Sequence, residues 1–342
     1  MTRLDARKTR LRRWPLVGLV LALLLSGASA RAVFSAWHKI SNGTHLTASG
    51  SALLSIDDQF DHGLHVFAIK DDQEVWQNTG TKTDSKGWMW GGWNSLDTTC
   101  NGVTCQFGGS RPSATEFTSN FLVDQLAVTA RNTTTQVVWV NLFLGDPSGN
   151  GRGWTGWQWI PNAWYPTDVA IIFYSHWLYV FGQGGNGMEF VTKNDVAAGW
   201  SPNNWTTPVT IANGWPTSGA AATVEDGAIF LVVRGGSDNN YWWTWSGDGT
   251  AWEAWLEIPG PGFQSAPAVS SWPGGHVEVS GMDSGGHLLR TVTDNYAQTW
   301  SAYSPVNSAT SAFPPAAFSP GTGVTRMAET QGDSTVYESD GP

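Results

Sequence analysis

Basic side chains are scarce in this sequence once its first thirty residues are set aside. Six of the 18 Lys and Arg but only one of the 28 Asp and Glu precede Arg31, so 12 bases face 27 acids in the remainder. Such a balance repels phosphate backbones and anionic headgroups, which argues against nucleic acid or membrane surfaces as partners and leaves neutral or cationic ligands. Charge of either sign is thin, at 13% of residues, which disfavours helices with charged outer faces. Cysteine is limited to Cys100 and Cys105, and in an exported chain such a close pair reads as one local disulfide rather than a metal site. The sequence contains no Gly-x-Ser-x-Gly elbow and no His-Glu-x-x-His motif, and its seven His show no ligand spacing, so neither a metal nor a cofactor is expected. The long apolar run of a membrane span is missing too: the run from Leu16 to Leu25 is shorter than the ~20 residues that cross a bilayer.

What that run belongs to is a targeting segment. Arg3, Arg7, Lys8, Arg10, Arg12 and Arg13 precede it, and Ala28-Ser29-Ala30 supplies small residues for cleavage. Residues 1–30 are therefore expected to be a signal peptide cleaved near Ala30, and the protein is expected to be secreted or extracellular. An uncleaved membrane anchor is the alternative.

The conspicuous residues are 22 Trp and 40 Gly, a composition of aromatic-bearing strands joined by tight turns. An aromatic pair three positions apart recurs: Phe34 and Trp37, Trp90 and Trp93, Trp154 and Trp157, Trp252 and Trp255, Trp300 and Tyr303, with Trp200 and Trp205 as a looser variant. Between the second aromatics the steps are 56, 64, 48, 50 and 48 residues. After each pair but the first comes a Pro- or small-residue stretch, such as Ser218-Gly219-Ala220-Ala221 or Ser265-Ala266-Pro267-Ala268. An alternating strand follows, such as Ala228 to Val233, and then a closing strand, such as Asn240 to Thr244. Period-two alternation with Gly, Asp and Asn at the joints marks antiparallel strands and tight hairpins.

Six units of about four strands, each too small to bury a core alone, imply an all-β fold: a β-propeller of six four-stranded antiparallel blades. The units run approximately over 34–85, 86–150, 151–198, 199–249, 250–297 and 298–342, within one domain spanning 31–342. The strand beginning at Phe34 is expected to complete the sheet formed by the C-terminal strands, closing the ring and leaving no long unpaired edge.

The aromatic pair with its glycine-containing turn, the Pro-Ala strand, and an apolar strand ending in Arg-Gly and an acidic turn together resemble the PLL-type lectins, propellers named from a Photorhabdus fucose-binding lectin. Val232-Val233-Arg234-Gly235-Gly236-Ser237-Asp238 carries the resemblance best, with echoes at Ser280-Gly281-Met282-Asp283 and Phe181-Gly182-Gln183-Gly184. The resemblance implies binding of fucose or O-methylated sugars in clefts between blades, without a metal. Its members are usually seven-bladed, which keeps seven as the alternative count. Six-bladed fucose lectins are a second comparison, but their recurring Arg, Glu and Trp set does not recur in every unit here.

A sugar ring offers an apolar C–H face beside hydroxyls, so its site needs a flat aromatic surface and a few directed polar groups. The candidates are Trp154, Trp157, Trp200, Trp205, Trp252 and Trp255, with Arg234, Asp238, Asp283 and His287 on the intervening turns. Against this stands a packing role, since most Trp in a propeller fill the space between blades. The expected partners are glycans, and weak repeated sites on a rigid ring would gain avidity on a glycan-coated surface; association of molecules through their faces stays open. Two other functions compete: a propeller scaffold for protein–protein interaction, and a sialidase-like glycoside hydrolase, for which Asp168, Glu225 and Glu278 could be nominated.

Overall fold

The computed structural model describes residues 38–40, 46–57, 62–83, 87–119, 122–144, 153–197, 199–311, 313–319, 325–331 and 336–340. The expected signal segment and the aromatic pair of Phe34 and Trp37 lie outside them.

After β1 (His38–Lys39), a first sheet is built from β2 (Leu46–Asp57), β3 (His62–Lys70), β4 (Val75–Thr83) and β5 (Gly87–Ser95). A small hairpin of β6 (Thr99–Cys100) and β7 (Val103–Thr104) precedes the second sheet: β8 (Ser113–Ser119), β9 (Leu122–Arg131) and β10 (Val137–Leu144), with β11 (Gly153–Trp154) and β12 (Gln158–Trp164) both pairing with β10. The third comprises β13 (Ala170–Tyr174), β14 (Trp177–Gln183), β15 (Glu189–Asp195) and β16 (Val209–Thr210), and the fourth β17 (Ala221–Glu225), β18 (Ala228–Arg234), β19 (Tyr241–Ser246) and β20 (Leu256–Ile258). In the fifth are β21 (Ala268–Trp272), β22 (His276–Met282), β23 (His287–Thr293) and β24 (Ser304–Thr310); in the last, β25 (Ala316–Phe318), β26 (Arg326–Thr330) and β27 (Val336–Asp340).

That last sheet takes its fourth strand from the other end of the chain. β1 pairs antiparallel with β27 in the register His38 with Glu338 and Lys39 with Tyr337, and the Ile40 amide donates to the Val336 carbonyl at 3.0 Å. The inner strands β2, β8, β13, β17, β21 and β25 lie side by side, and β25 returns to β2, so the six sheets form a closed ring. The fold is the six-bladed antiparallel propeller that the repeats imply, with the expected N-terminal closure. Inner strands of five sheets line an axial cavity of about 310 Å³.

The second strands differ from the expected half-buried alternation. From Ile229 to Val233 every side chain of β18 is buried. Alternate residues do separate, but into two cores: Ile229, Leu231 and Val233 pack toward the third sheet with Tyr179 and Phe181, whereas Phe230 and Val232 pack toward the fifth with Val277 and Val279. Both faces of a blade are interior, so both phases of the period-two pattern are apolar.

Short side chains hold the second to fifth blades to their own edges. The hydroxyls of Ser110, Ser218 and Ser265 accept the amides that end β9, β18 and β22, from Arg131 at 3.1 Å, Arg234 at 3.3 Å and Met282 at 2.9 Å. In the third strands, Thr192, Thr244 and Thr291 donate to the carbonyls of Thr206, Glu253 and Ser301 at 2.6, 2.7 and 2.7 Å. Each of those carbonyls follows a Trp directly, which makes Trp205 the counterpart of Trp252 and Trp300; Trp200 is an added ring set edge-on to it, with centroids 6.0 Å apart. Cys100 and Cys105 are disulfide-bonded beside Phe107 and Trp157.

Candidate functional site: an indole-lined cleft between the third and fourth sheets

Most tryptophans of the recurring pairs are structural. Trp157 and Trp205 are 3% and 8% exposed. Trp154 meets Phe67 and Phe143, and Trp252 stands edge-on to Phe181 with centroids 5.6 Å apart. The indole nitrogens of Trp157, Trp200, Trp205 and Trp252 are buried without a hydrogen-bond partner. These rings fill the space between sheets.

Trp255 is placed differently. It lines a cavity of about 220 Å³ together with Trp215, Trp242, Asn213 and Ser237. The segment from β16 to β17 supplies Asn213 and Trp215, and the fourth sheet supplies the rest. Trp215 is 60% exposed. Trp255 is fixed by its indole nitrogen, which donates to the Ala212 carbonyl at 3.1 Å. In the hairpin between β18 and β19, Asp238 accepts the Asn240 amide at 3.0 Å, and the Trp242 nitrogen reaches the two carboxylate oxygens at 3.4 and 3.3 Å.

Glycines clear the seats of two of these rings. A Cβ on Gly235 would stand 2.6 Å from the Trp242 nitrogen, and one on Gly214 would stand 2.8 Å from the Trp255 ring. Either would displace an indole. The cleft thus offers aromatic faces set by backbone and glycine, beside the carboxylate of Asp238 and the polar side chains of Ser237 and Asn213. That combination suits a small ligand with apolar C–H faces and hydroxyls.

Of the sequence candidates, Trp255 lines this cleft, and Asp238 adjoins it by holding the Trp242 nitrogen. Arg234 ends β18 beside them but faces elsewhere. Its guanidinium donates to Thr217 Oγ1 at 3.3 Å, to the Thr217 carbonyl at 3.2 Å, and to the Phe263 and Gln264 carbonyls, clamping the segments that enter the fourth and fifth sheets. Asp283 and His287 occupy the corresponding turn of the fifth sheet, where Asp283 accepts the Gly285 and His287 amides at 2.8 and 2.9 Å and faces the imidazole at 3.3 Å. Burial opposes ionisation of Asp283, but those hydrogen bonds hold its carboxyl below the usual range. Trp215 and Trp242 escaped the sequence search. Trp242 had a usable signal, since it alternates with the buried Trp243 and follows Asp238 by four residues across a hairpin.

The same turn is unequal elsewhere in the ring. In the first sheet the Trp76 nitrogen meets Asp72 at 3.2 and 3.0 Å in the same way, but Lys70 Nζ sits 3.3 Å from the Trp76 ring centroid and covers it. In the third sheet Phe190 takes the ring position, seated on Gly184 as Trp242 is on Gly235. The glycine run from Gly182 to Gly187 joins β14 to β15 as a hairpin turn, closed by the Gly184 amide on the Met188 carbonyl at 2.8 Å.

The carboxylates nominated for hydrolysis do not face one cavity. Glu278 is enclosed between the fifth and sixth sheets, accepting Arg290 at 2.9 Å and Thr325 at 3.3 Å, with burial pushing its carboxyl up to about 7. Glu225 accepts the Gly275 amide at 2.8 Å. Asp168 lies at the axis, where it accepts the Arg111 amide at 3.1 Å. Among the described residues, no group of three His, Cys, Asp or Glu is placed to hold a metal ion.

No protein-family model matches the sequence, and no curated protein matches it. Solved structures do. The chain is similar to a six-bladed propeller lectin from the fungus Aleuria aurantia described as having a novel fucose recognition mode, at 13% identity over 87% of this chain and 93% of that one, TM-score 0.64. It is similar to the BP39L lectin of Burkholderia pseudomallei at 18% identity, over 84% of this chain and 79% of that one, TM-score 0.61. A Hadza microbial sialidase is matched at 10% identity over 86% of this chain and 65% of that one, TM-score 0.58. At these identities the likeness establishes the propeller fold.

Proposed function

We propose that the protein is an exported, lectin-like carbohydrate-binding propeller of the PLL type that takes fucose or a related, O-methylated sugar in the cleft of Trp215, Trp242 and Trp255. The observation that carries this reading is the meeting of three indoles in one cavity of about 220 Å³, with glycines making room for two of the rings and Asp238 holding the Trp242 nitrogen. The acidic balance of the chain favours a neutral ligand over an anionic one at such a surface. The lectin neighbours support the reading through their shared ring of sheets and the fucose recognition of the fungal one. The unequal turns, with Lys70 over Trp76 and Phe190 in place of Trp242, suit a protein with few competent clefts rather than one in every blade.

A glycan array followed by calorimetry tests this. Saturable binding of a fucosylated or methylated sugar, weakened about tenfold or more in Trp242→Ala by loss of on the order of 1.5 kcal/mol of stacking and burial, supports it. No response to any such sugar removes it. Turnover of fluorogenic glycosides would favour the hydrolase that the sialidase-like fold allows. A second reading, a protein-binding scaffold, draws on Trp159 and Trp164 of the second sheet, 48% and 60% exposed; a partner retained in excess monosaccharide would favour it.

A further inference from the structure

A second cavity of about 460 Å³ is lined by Gly219, Ala266 and Pro314, which directly precede channel-lining residues, and by Arg131, Thr167, Asp168 and Arg234 among others. Arg111 stands at the entrance to the channel that the inner strands line. Its guanidinium crosses the axis to three other sheets, donating to the carbonyls of Ala220 at 3.4 Å, Pro267 at 3.3 Å and Pro315 at 3.4 Å. Arg131, 8% exposed, holds Nη2 3.7 Å from Asp168 Oδ1, and its Nε is buried without a partner, as is the hydroxyl of Thr167. Arg234 spends its donors on hydroxyl and carbonyl oxygens that carry no charge. Arg111 and Arg131 therefore share one carboxylate, Asp168, and Arg234 on the same cavity is hydrogen-bonded only to uncharged oxygens, in a chain whose net charge is −10.

Holding uncompensated cations out of water is costly, and a walled concavity concentrates their field. An anion in the mouth would supply the missing charge and accept charge-assisted hydrogen bonds. The cavity also has the volume of a small-molecule site. We propose that the mouth of the axial channel binds a small oxyanion, a phosphate or carboxylate group, held chiefly by Arg131 with Arg234 and Arg111 behind it. This site is separate from the indole cleft: one takes a negative charge, the other a neutral ring.

Calorimetric titration of the full chain at low ionic strength, with inorganic phosphate, glucuronate and glucose, tests it. Phosphate and glucuronate are expected to bind, and glucose to leave their affinity unchanged. The stronger of the two anions then identifies whether the site suits a free oxyanion or an acidic sugar. Arg131→Gln is expected to weaken both anions at least tenfold while leaving neutral-sugar binding at the indole cleft as it was. Asp168→Asn, which removes the shared carboxylate but keeps an oxygen for the Arg111 amide, is expected to tighten both severalfold. Failure of the unaltered protein to bind either anion overturns the proposal. So does an unchanged affinity in a folded Arg131→Gln or Asp168→Asn protein.

Discussion

Glu189 makes the interior of the propeller sensitive to pH in a direction opposite to that of most carboxylates. It opens β15, is fully buried, and neither carboxyl oxygen has a hydrogen-bond partner. Burial pushes its carboxyl from the ordinary 4.5 up to about 8. The nearby Tyr165 hydroxyl is likewise unpartnered, and burial first, then Glu189, raises it as well. With the folded value above the unfolded one, the group's contribution to stability is complete below pH 4.5 and is lost as pH rises toward 8, at about 1.4 kcal/mol per pH unit. At pH 7 the loss is on the order of 3 kcal/mol, a large share of the ~5–15 kcal/mol that stabilises a typical domain. Glu189→Gln keeps the shape and cannot ionise. Reversible urea unfolding of both proteins from pH 4.5 to pH 8 should therefore give curves that diverge, the variant gaining about 3 kcal/mol on the parent between pH 4.5 and pH 7 whatever constant offset the amide introduces. Parallel curves would refute the reasoning and mean that Glu189 finds a partner or water in the folded protein.

Three further outcomes follow from the packing. Gly235→Val drives a side chain into the Trp242 nitrogen and the Asp238 carboxylate, so calorimetry should show sugar binding lost while circular dichroism keeps the strand signature. Leu231→Ala opens space between the third and fourth sheets and should cost about 2–5 kcal/mol in urea unfolding, with the ring retained. Replacing both Cys100 and Cys105 by Ala removes a cross-link spanning a sequence separation of only 5, and should cost less than the ~2–4 kcal/mol of longer disulfide loops, measured the same way.

The fold was legible because a propeller repeats its chemistry. Trp154, Trp205, Trp252 and Trp300 return at steps of 51, 47 and 48 residues, and the apolar second strands between hairpin turns return with them. Even closure could be anticipated, since an aromatic segment at Phe34 stands ahead of the first complete set of strands. The site was less legible for the same reason. A repeat search selects positions that every blade needs, and in a ring of stacked sheets those are packing positions such as Trp157 and Trp205. The residues of the proposed cleft are departures from the repeat. Trp215 lies in a connection, and Trp242 stands where the third sheet has Phe190. Arg234 shows a further limit: its motif was visible, but its donors are consumed by carbonyls of segments distant in sequence. Nothing in the sequence marks Glu189 as unpartnered, because that depends on which groups fail to meet it.

The most direct test of the indole cleft is a crystal structure of the full chain soaked with the best sugar from a fucosylated and methylated panel. The account predicts a pyranose ring against Trp215, Trp242 and Trp255 with a hydroxyl within hydrogen-bond reach of Asp238. A sugar bound elsewhere on the ring, with that cleft empty at saturating concentration, would contradict it.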